Sequence, residues 1–120
     1  MMILVAGPYR SGTNDDPALM AKNLHRLEAV TLSLFRAGHL PMIGEWVALP
    51  LWHLAGGKTP GDAAWQEILY PVAHHLLDRC DAILRLPGES KGADEDVRLA
   101  TERGLPVYNR LDDVPGVSRI

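Results

Sequence analysis

Short apolar runs alternate with helical repeats along this chain, and their order predicts the fold. Residues 2–6, MILVA, form a continuous apolar run closed by Gly7-Pro8, the pattern of a strand buried on both faces of a parallel sheet. Asp15 or Asp16 can cap the helix that follows, with Pro17 at its first position, where a missing N–H costs little. Met20, Leu24, Leu27, Thr31 and Leu34 then recur at helical spacing up to Gly38, predicting one helix that Gly38 ends. HLPMI (39–43) reads as a second strand, short or at an edge because Pro41 lies inside it. Residues 44–59, GEWVALPLWHLAGGKT, read as irregular.

Thr59-Pro60 with Asp62 resembles a capping box opening a helix whose apolar face is Trp65, Ile68, Leu69, Val72 and Leu76. Pro71 should kink or interrupt it. DAILRL (81–86) is the third strand, GADEDVRLATERG (92–104) a helix ending at Gly104, and LPVYN (105–109) the last strand. The tail LDDVPGVSRI is expected at the surface or on a partner subunit. Strands alternating with helices imply right-handed crossovers. The expected fold is α/β, a flavodoxin/Rossmann-like three-layer sandwich with a small, mainly parallel sheet of four to five strands.

Composition narrows the function classes. With 120 residues, 47% of them hydrophobic, the chain fits a single domain over 1–120 with a real core. Its net charge of -3 argues against a nucleic-acid polymer as partner, which would need a basic face. Neither a signal peptide nor a membrane span is read in the N-terminal segment, so a cytoplasmic protein with no membrane contact is expected. The one cysteine, Cys80, can form no internal disulfide or Cys-type zinc site and reads as a core residue. No metal site and no cofactor are expected.

Ligands of such sheets bind outside the carboxyl ends of the strands, at the switch point. Two loops fall there. GPYRSGT, after the first strand, offers Gly7 and Gly12 for close backbone approach, with Tyr9, Arg10 and Ser11; Arg10 and free amides suit an anion. It lacks a Walker A ending and the dinucleotide glycine spacing. PGESKGADED, after the third strand, places Ser90 and Gly92 at a helix entry, followed by Asp94, Glu95 and Asp96. Acids in a first helical turn are stabilised by the helix dipole. That alone does not explain their meeting a Gly-rich corner at a strand end.

ILVAGPYRSG, RCDAILRLPGESKGADEDVRLA and ERGLPVY together resemble the nucleoside 2-deoxyribosyltransferase superfamily, which includes the deoxynucleoside 5'-monophosphate N-glycosidases. The resemblance spans nearly the whole chain and rests on the order and spacing of individually weak motifs. It implies a carboxylate that attacks the anomeric carbon of a 2-deoxyribosyl group and expels the base, the logic of retaining glycosidases. Six residues after Ser90 stands Asp96, where the family usually has Glu. The shorter side chain matters, because a displacement of about 1 Å can cost on the order of a hundredfold in rate. Glu95 has the family's side chain but lies roughly 100° around the helix, and is the rival nucleophile.

By the same matching, Tyr9 would hold or polarise the nucleophile, while Arg10, Gly12 and Ser90 would contact a 5'-phosphate; Gly7, Ser11 and Gly92 complete the expected substrate site. The family's base-protonating acid, on the helix before the third strand, is missing. His74 or His75 stands near that place, with Asp62 and Glu67 as other candidates. Trp46, Trp52 and Trp65 suggest a lid stacking on a base or, slightly favoured, an oligomer interface. The expected partner is a small nucleoside or nucleotide, and a homo-oligomer is expected. The alternatives are a non-catalytic nucleotide-binding module and a phosphoribohydrolase-like enzyme, whose Gly-rich loop PGESKGADED resembles loosely.

Overall fold

The computed structural model describes residues 1–117. Four parallel strands form one sheet in the order β2-β1-β3-β4: β1 (Met2–Ala6), β2 (Leu40–Met42), β3 (Ala82–Arg85) and β4 (Val107–Tyr108). This is the flavodoxin-like order, and it places the switch point between β1 and β3. Five α-helices connect and cover the sheet: α1 (Pro17–Glu28), α2 (Thr31–Arg36), α3 (Gly44–Leu54), α4 (Ala63–Leu77) and α5 (Lys91–Glu102).

The alternation of side chains along β1 builds the layers. Ile3 and Val5 point to one face, where Leu27 of α1 and Leu34 of α2 close the core. Leu4 and Ala6 point to the other, against Leu77 of α4 and Ala93 and Ala100 of α5. Burial of both sheet faces is what the unbroken apolar run MILVA requires. Cys80 packs in the second core, and burial, then the charge of Asp81, pushes its thiol up to about 11. Pro41 sits on β2, an edge strand, where a missing N–H is tolerated.

Several local expectations are corrected. The long first helix is two helices, because the Thr31 hydroxyl donates to the Glu28 carbonyl at 2.7 Å and gives the end of α1 a partner outside the helical ladder. Gly38, at φ 93, ends α2 with the His39 N–H on the Leu34 carbonyl and its own N–H on the Phe35 carbonyl, a Schellman motif. The segment read as irregular contains α3, which is apolar almost all round, carries Pro50 and packs along α4. Such a helix has no amphipathic period to read.

Helix α4 begins after Asp62 rather than at Thr59, and it runs through Pro71 without interruption. Pro71 lies on the exposed face, where the carbonyl it leaves without a backbone partner can be hydrated. The tail is not wholly superficial: Val114 is 2% exposed and joins the first core, and the Pro115 carbonyl lies 2.7 Å from His39 Nε2. Residues 118–120 of the predicted tail lie outside the described residues. No helix among the described residues is long and apolar enough to cross a membrane.

Candidate functional site

A cavity of about 780 Å³ opens at the carboxyl ends of β1, β2 and β3. That volume lies within the range of small-molecule sites. Its floor is Ala6 and Gly7, and its walls come from the loop after β1, the start of α3, the middle of α4 and the start of α5.

The two loops chosen from the sequence do meet here. Pro8 of the first lies so close to Gly88 of the second that a Cβ on Gly88 would come within 2.7 Å of Pro8 Cγ. Gly7, Tyr9, Arg10, Ser11, Gly12, Ser90, Gly92 and Asp96 all line the cavity. Gly7 has a packing reason of its own, since a Cβ there would meet Leu27 Cδ2 at 2.9 Å and Leu86 Cβ at 3.3 Å. Asn23 Nδ2 donates to the Tyr9 carbonyl at 2.9 Å and ties the first loop to α1.

Arg10 is held rather than free. Its Nε donates to Asp15 Oδ1 at 2.6 Å and its Nη2 to Asp15 Oδ2 at 3.3 Å. The guanidinium carbon sits 5.7 Å from the centre of the Trp65 ring, a cation–π contact. Asp15 adopts φ 59 to make this fork, and Asp16 is the residue that caps α1. An anion binding Arg10 therefore shares it with a carboxylate.

Ser90 is the N-cap of α5. It is 6% exposed, and its Oγ accepts the Ala93 N–H at 3.1 Å. Its hydroxyl proton can still be donated toward the cavity. Arg85, at the end of β3, donates to the carbonyls of Leu86 and Gly88 and to Asp94 Oδ1, so it braces the second loop from beneath.

Asp96 stands on α5, with Oδ1 buried and lacking a hydrogen-bond partner. Burial first, then the charges of Glu45 and Glu95, push its carboxyl up to about 7, against a smaller downward pull from Arg85. Glu95 is not brought into the cavity. It accepts from Arg98 Nε at 2.9 Å, and that partner holds its carboxyl below the usual range. One helical position separates them and sends the two side chains different ways.

Tyr9 stacks on Trp65 with ring centres 6.3 Å apart. Burial, then the charge of Glu45, raises its phenol, so it stays a proton donor at neutral pH. A further carboxyl on the lining, Glu45, was missed in the sequence. It lies in the first turn of α3, three residues past β2, and burial pushes it up to about 7. The rule that sites form at strand ends would have found it had α3 been recognised.

The other candidates for a proton donor fall elsewhere. Asp62 accepts N–H groups from Lys58, Thr59 and Trp65 and the indole N–H of Trp52, and the backbone donors hold it well below the usual carboxylate range. It caps α4 and joins the end of α3 to it; an acid held so firmly ionised cannot deliver a proton. Glu67, His74 and His75 do not line the cavity, whose α4 wall is Trp65, Leu69, Tyr70 and Ala73.

The tryptophans form no lid. Trp52 and Trp65 are buried edge to face, 5.4 Å apart, in a small core with Met20. Trp46 donates to Glu28 Oε2 at 2.8 Å. Among the described residues no group of three metal-binding side chains is gathered.

Fold and cavity together define a small parallel α/β protein with a ligand-sized crevice at its switch point, lined by four carboxyl residues of which Glu45 and Asp96 are raised by burial. Comparison with protein-family models, with curated proteins and with solved structures finds no match to this chain.

Proposed function

We propose that the chain cleaves or transfers the N-glycosidic bond of nucleosides or nucleoside 5'-monophosphates, with Asp96 as nucleophile. One observation carries this reading: Asp96, whose buried Oδ1 lacks a hydrogen-bond partner, lines a cavity built from both strand-end loops. A carboxylate that is not tied up by several donors is the more nucleophilic one. Tyr9, a persistent donor in the same cavity, is suited to orient the carboxylate. Asp96 attacks C1' of the sugar, the C1'–N bond breaks, and its electron pair leaves with the base. Water or an acceptor base then displaces Asp96. The amides at the start of α5 and the loop around Gly12 favour an electron-rich group on the sugar's 5' side.

The reading also takes a homo-oligomer in a cytoplasmic setting. The exposed apolar stripe of Val47, Leu51 and Leu54 on α3 supports self-association. A single buried cysteine fits a compartment where no disulfide is needed.

The test is chromatographic detection of free base from deoxyribonucleosides, ribonucleosides and their 5'-monophosphates, with Asp96→Asn and Glu95→Gln proteins alongside. Base release abolished in Asp96→Asn and retained in Glu95→Gln is the expected result. A ribose preference would favour the phosphoribohydrolase-like alternative.

A binding module is the second reading. The elevated Asp96 carboxyl favours it, since a half-protonated aspartate one methylene shorter than glutamate is a poor nucleophile. Saturable nucleotide binding that survives Asp96→Asn, with no free base from the native protein, would replace the enzyme by this module.

A further inference from the structure

Resting on the glycosidic reading above, we infer that Glu45 is the acid–base partner of Asp96: it protonates the departing base and then takes a proton from the attacking water. Two adjoining crossovers bring these groups together. β2 and β3 flank β1 in the sheet. Glu45 follows the end of β2, and Asp96 is carried by the helix that follows β3. Both face one cavity, with Tyr9 on the loop that follows the strand between them. The carboxyls lie close enough for the charge of Glu45 to act on Asp96.

Two neighbouring carboxyls that are both raised by burial do not both ionise readily, and they titrate as a pair. Both are raised to about 7, so near neutrality they share a proton. Arg85 pulls Asp96 toward its ionised form against the charges of Glu45 and Glu95, and a backbone hydrogen bond at Glu45 offsets part of the effect of its burial. The other charged groups around the cavity are paired or exposed. Arg10 is engaged by Asp15, and Glu95 is engaged by Arg98. Arg26, Glu89 and Lys91 lie on exposed parts of the cavity lining, and α4 contributes only the uncharged Tyr70. One proton shared between Glu45 and Asp96 leaves one carboxylate and one carboxylic acid, and the form with the proton on Glu45 and the charge on Asp96 is the one that a retaining glycosidase requires.

The chemistry balances. As Asp96 bonds to C1', the base nitrogen receives the electron pair of the C1'–N bond and the Glu45 proton. The Glu45 carboxylate then takes a proton from water, whose oxygen bonds to C1' as the ester to Asp96 breaks. Both carboxyls return to their starting states.

The test compares two leaving groups in the native and Glu45→Gln proteins. A natural deoxyribonucleoside needs its base protonated, whereas 4-nitrophenyl 2-deoxyriboside releases a stable anion without help. Glu45→Gln should slow base release on the order of 10²–10⁴-fold while leaving the first-turnover burst of nitrophenolate nearly unchanged. It should also abolish the alkaline fall of the pH–rate profile. Glu45→Asp should restore part of the rate, and thermal unfolding checks that each variant is folded.

Equal losses on both substrates, or an alkaline limb that survives Glu45→Gln, would overturn the assignment of Glu45 while leaving Asp96 in place. No base release from the native protein would overturn the glycosidic reading and this role with it. Carboxyl-carbon NMR gives a readout independent of turnover. Glu45 should titrate near neutrality and move down in Asp96→Asn; an ordinary midpoint unaffected by that change would refute the coupling.

Discussion

Replacing Ser90 by alanine tests whether the helix that carries Asp96 is set by its cap. The Ser90 Oγ accepts the Ala93 N–H at 3.1 Å, and both residues are buried, at 6% and 3% exposure. Water cannot readily take the place of the lost oxygen, so the N–H is left without an acceptor. Loss of such a cap costs about 1 kcal/mol, within a range of roughly 0.5–2. For a domain of this size that lowers the melting midpoint by about 4 °C. With a urea m-value of about 2 kcal/mol/M, the urea midpoint falls by about 0.5 M. Urea unfolding followed by tryptophan fluorescence reads this directly, because Trp52 and Trp65 are buried in the folded chain. Ser90→Asp, which keeps an acceptor at the cap and adds a charge suited to the helix dipole, should recover most of the loss. If Ser90→Ala unfolds at the native midpoint, or Ser90→Asp unfolds no later than Ser90→Ala, the cap does not set the start of α5.

Two further outcomes follow from the packing and the charges of the site. Gly7→Ala forces a Cβ against Leu27 and Leu86 and should destabilise the fold by about 1–3 kcal/mol. Gly92→Ala meets only Tyr70 at 3.6 Å, gains helix propensity and should leave stability unchanged or up to about 1 kcal/mol higher; thermal melts of the pair separate the two cases. Raising the Asp96 carboxyl to about 7 means that the folded chain holds a proton the unfolded chain has released between roughly pH 4 and 7. Stability should therefore fall as pH rises through that window, by about 1.4 kcal/mol per unit at most, and level off above it. Asp96→Asn should unfold later than the native protein at pH 8, on the order of 2 kcal/mol more stable, and match it near pH 4; denaturant titrations at the two pH values check this.

The sheet was legible in the sequence because burial on both faces imposes unbroken apolar runs. MILVA is strand β1 at the predicted bounds, and the strand order follows from two crossovers of opposite direction. The loops after β1 and β3 were legible for the same reason, since a strand end fixes where they lie. Asp96 was separated from Glu95 by spacing alone, and the helical rotation between them places only Asp96 in the cavity. Hidden from the sequence was everything that depends on α3. Its apolar residues obey no period, because one side packs on α4 while Val47, Leu51 and Leu54 on another are exposed. With α3 unread, Glu45 had no strand end to belong to. Asp62 looked like an available acid because four N–H donors converging from three places leave no mark in a linear pattern. The fork between Arg10 and Asp15 depends on a left-handed backbone at Asp15 that a non-glycine residue does not advertise.

The central position of β1 also shapes the birth of the molecule. It leaves the ribosome before the other strands of its sheet, and its partner on one side, β3, is made about 80 residues later. At translation rates of about 5–20 residues per second, one edge of MILVA stays open for several seconds. The interval favours any nascent-chain binder that recognises extended apolar segments, and it makes the early chain the stage most exposed to mispairing with a neighbour. Only when Ala82 and the residues after it slot beside Ile3 is that edge closed, and α5, which is made later still, brings Asp96 to the rest of the site last.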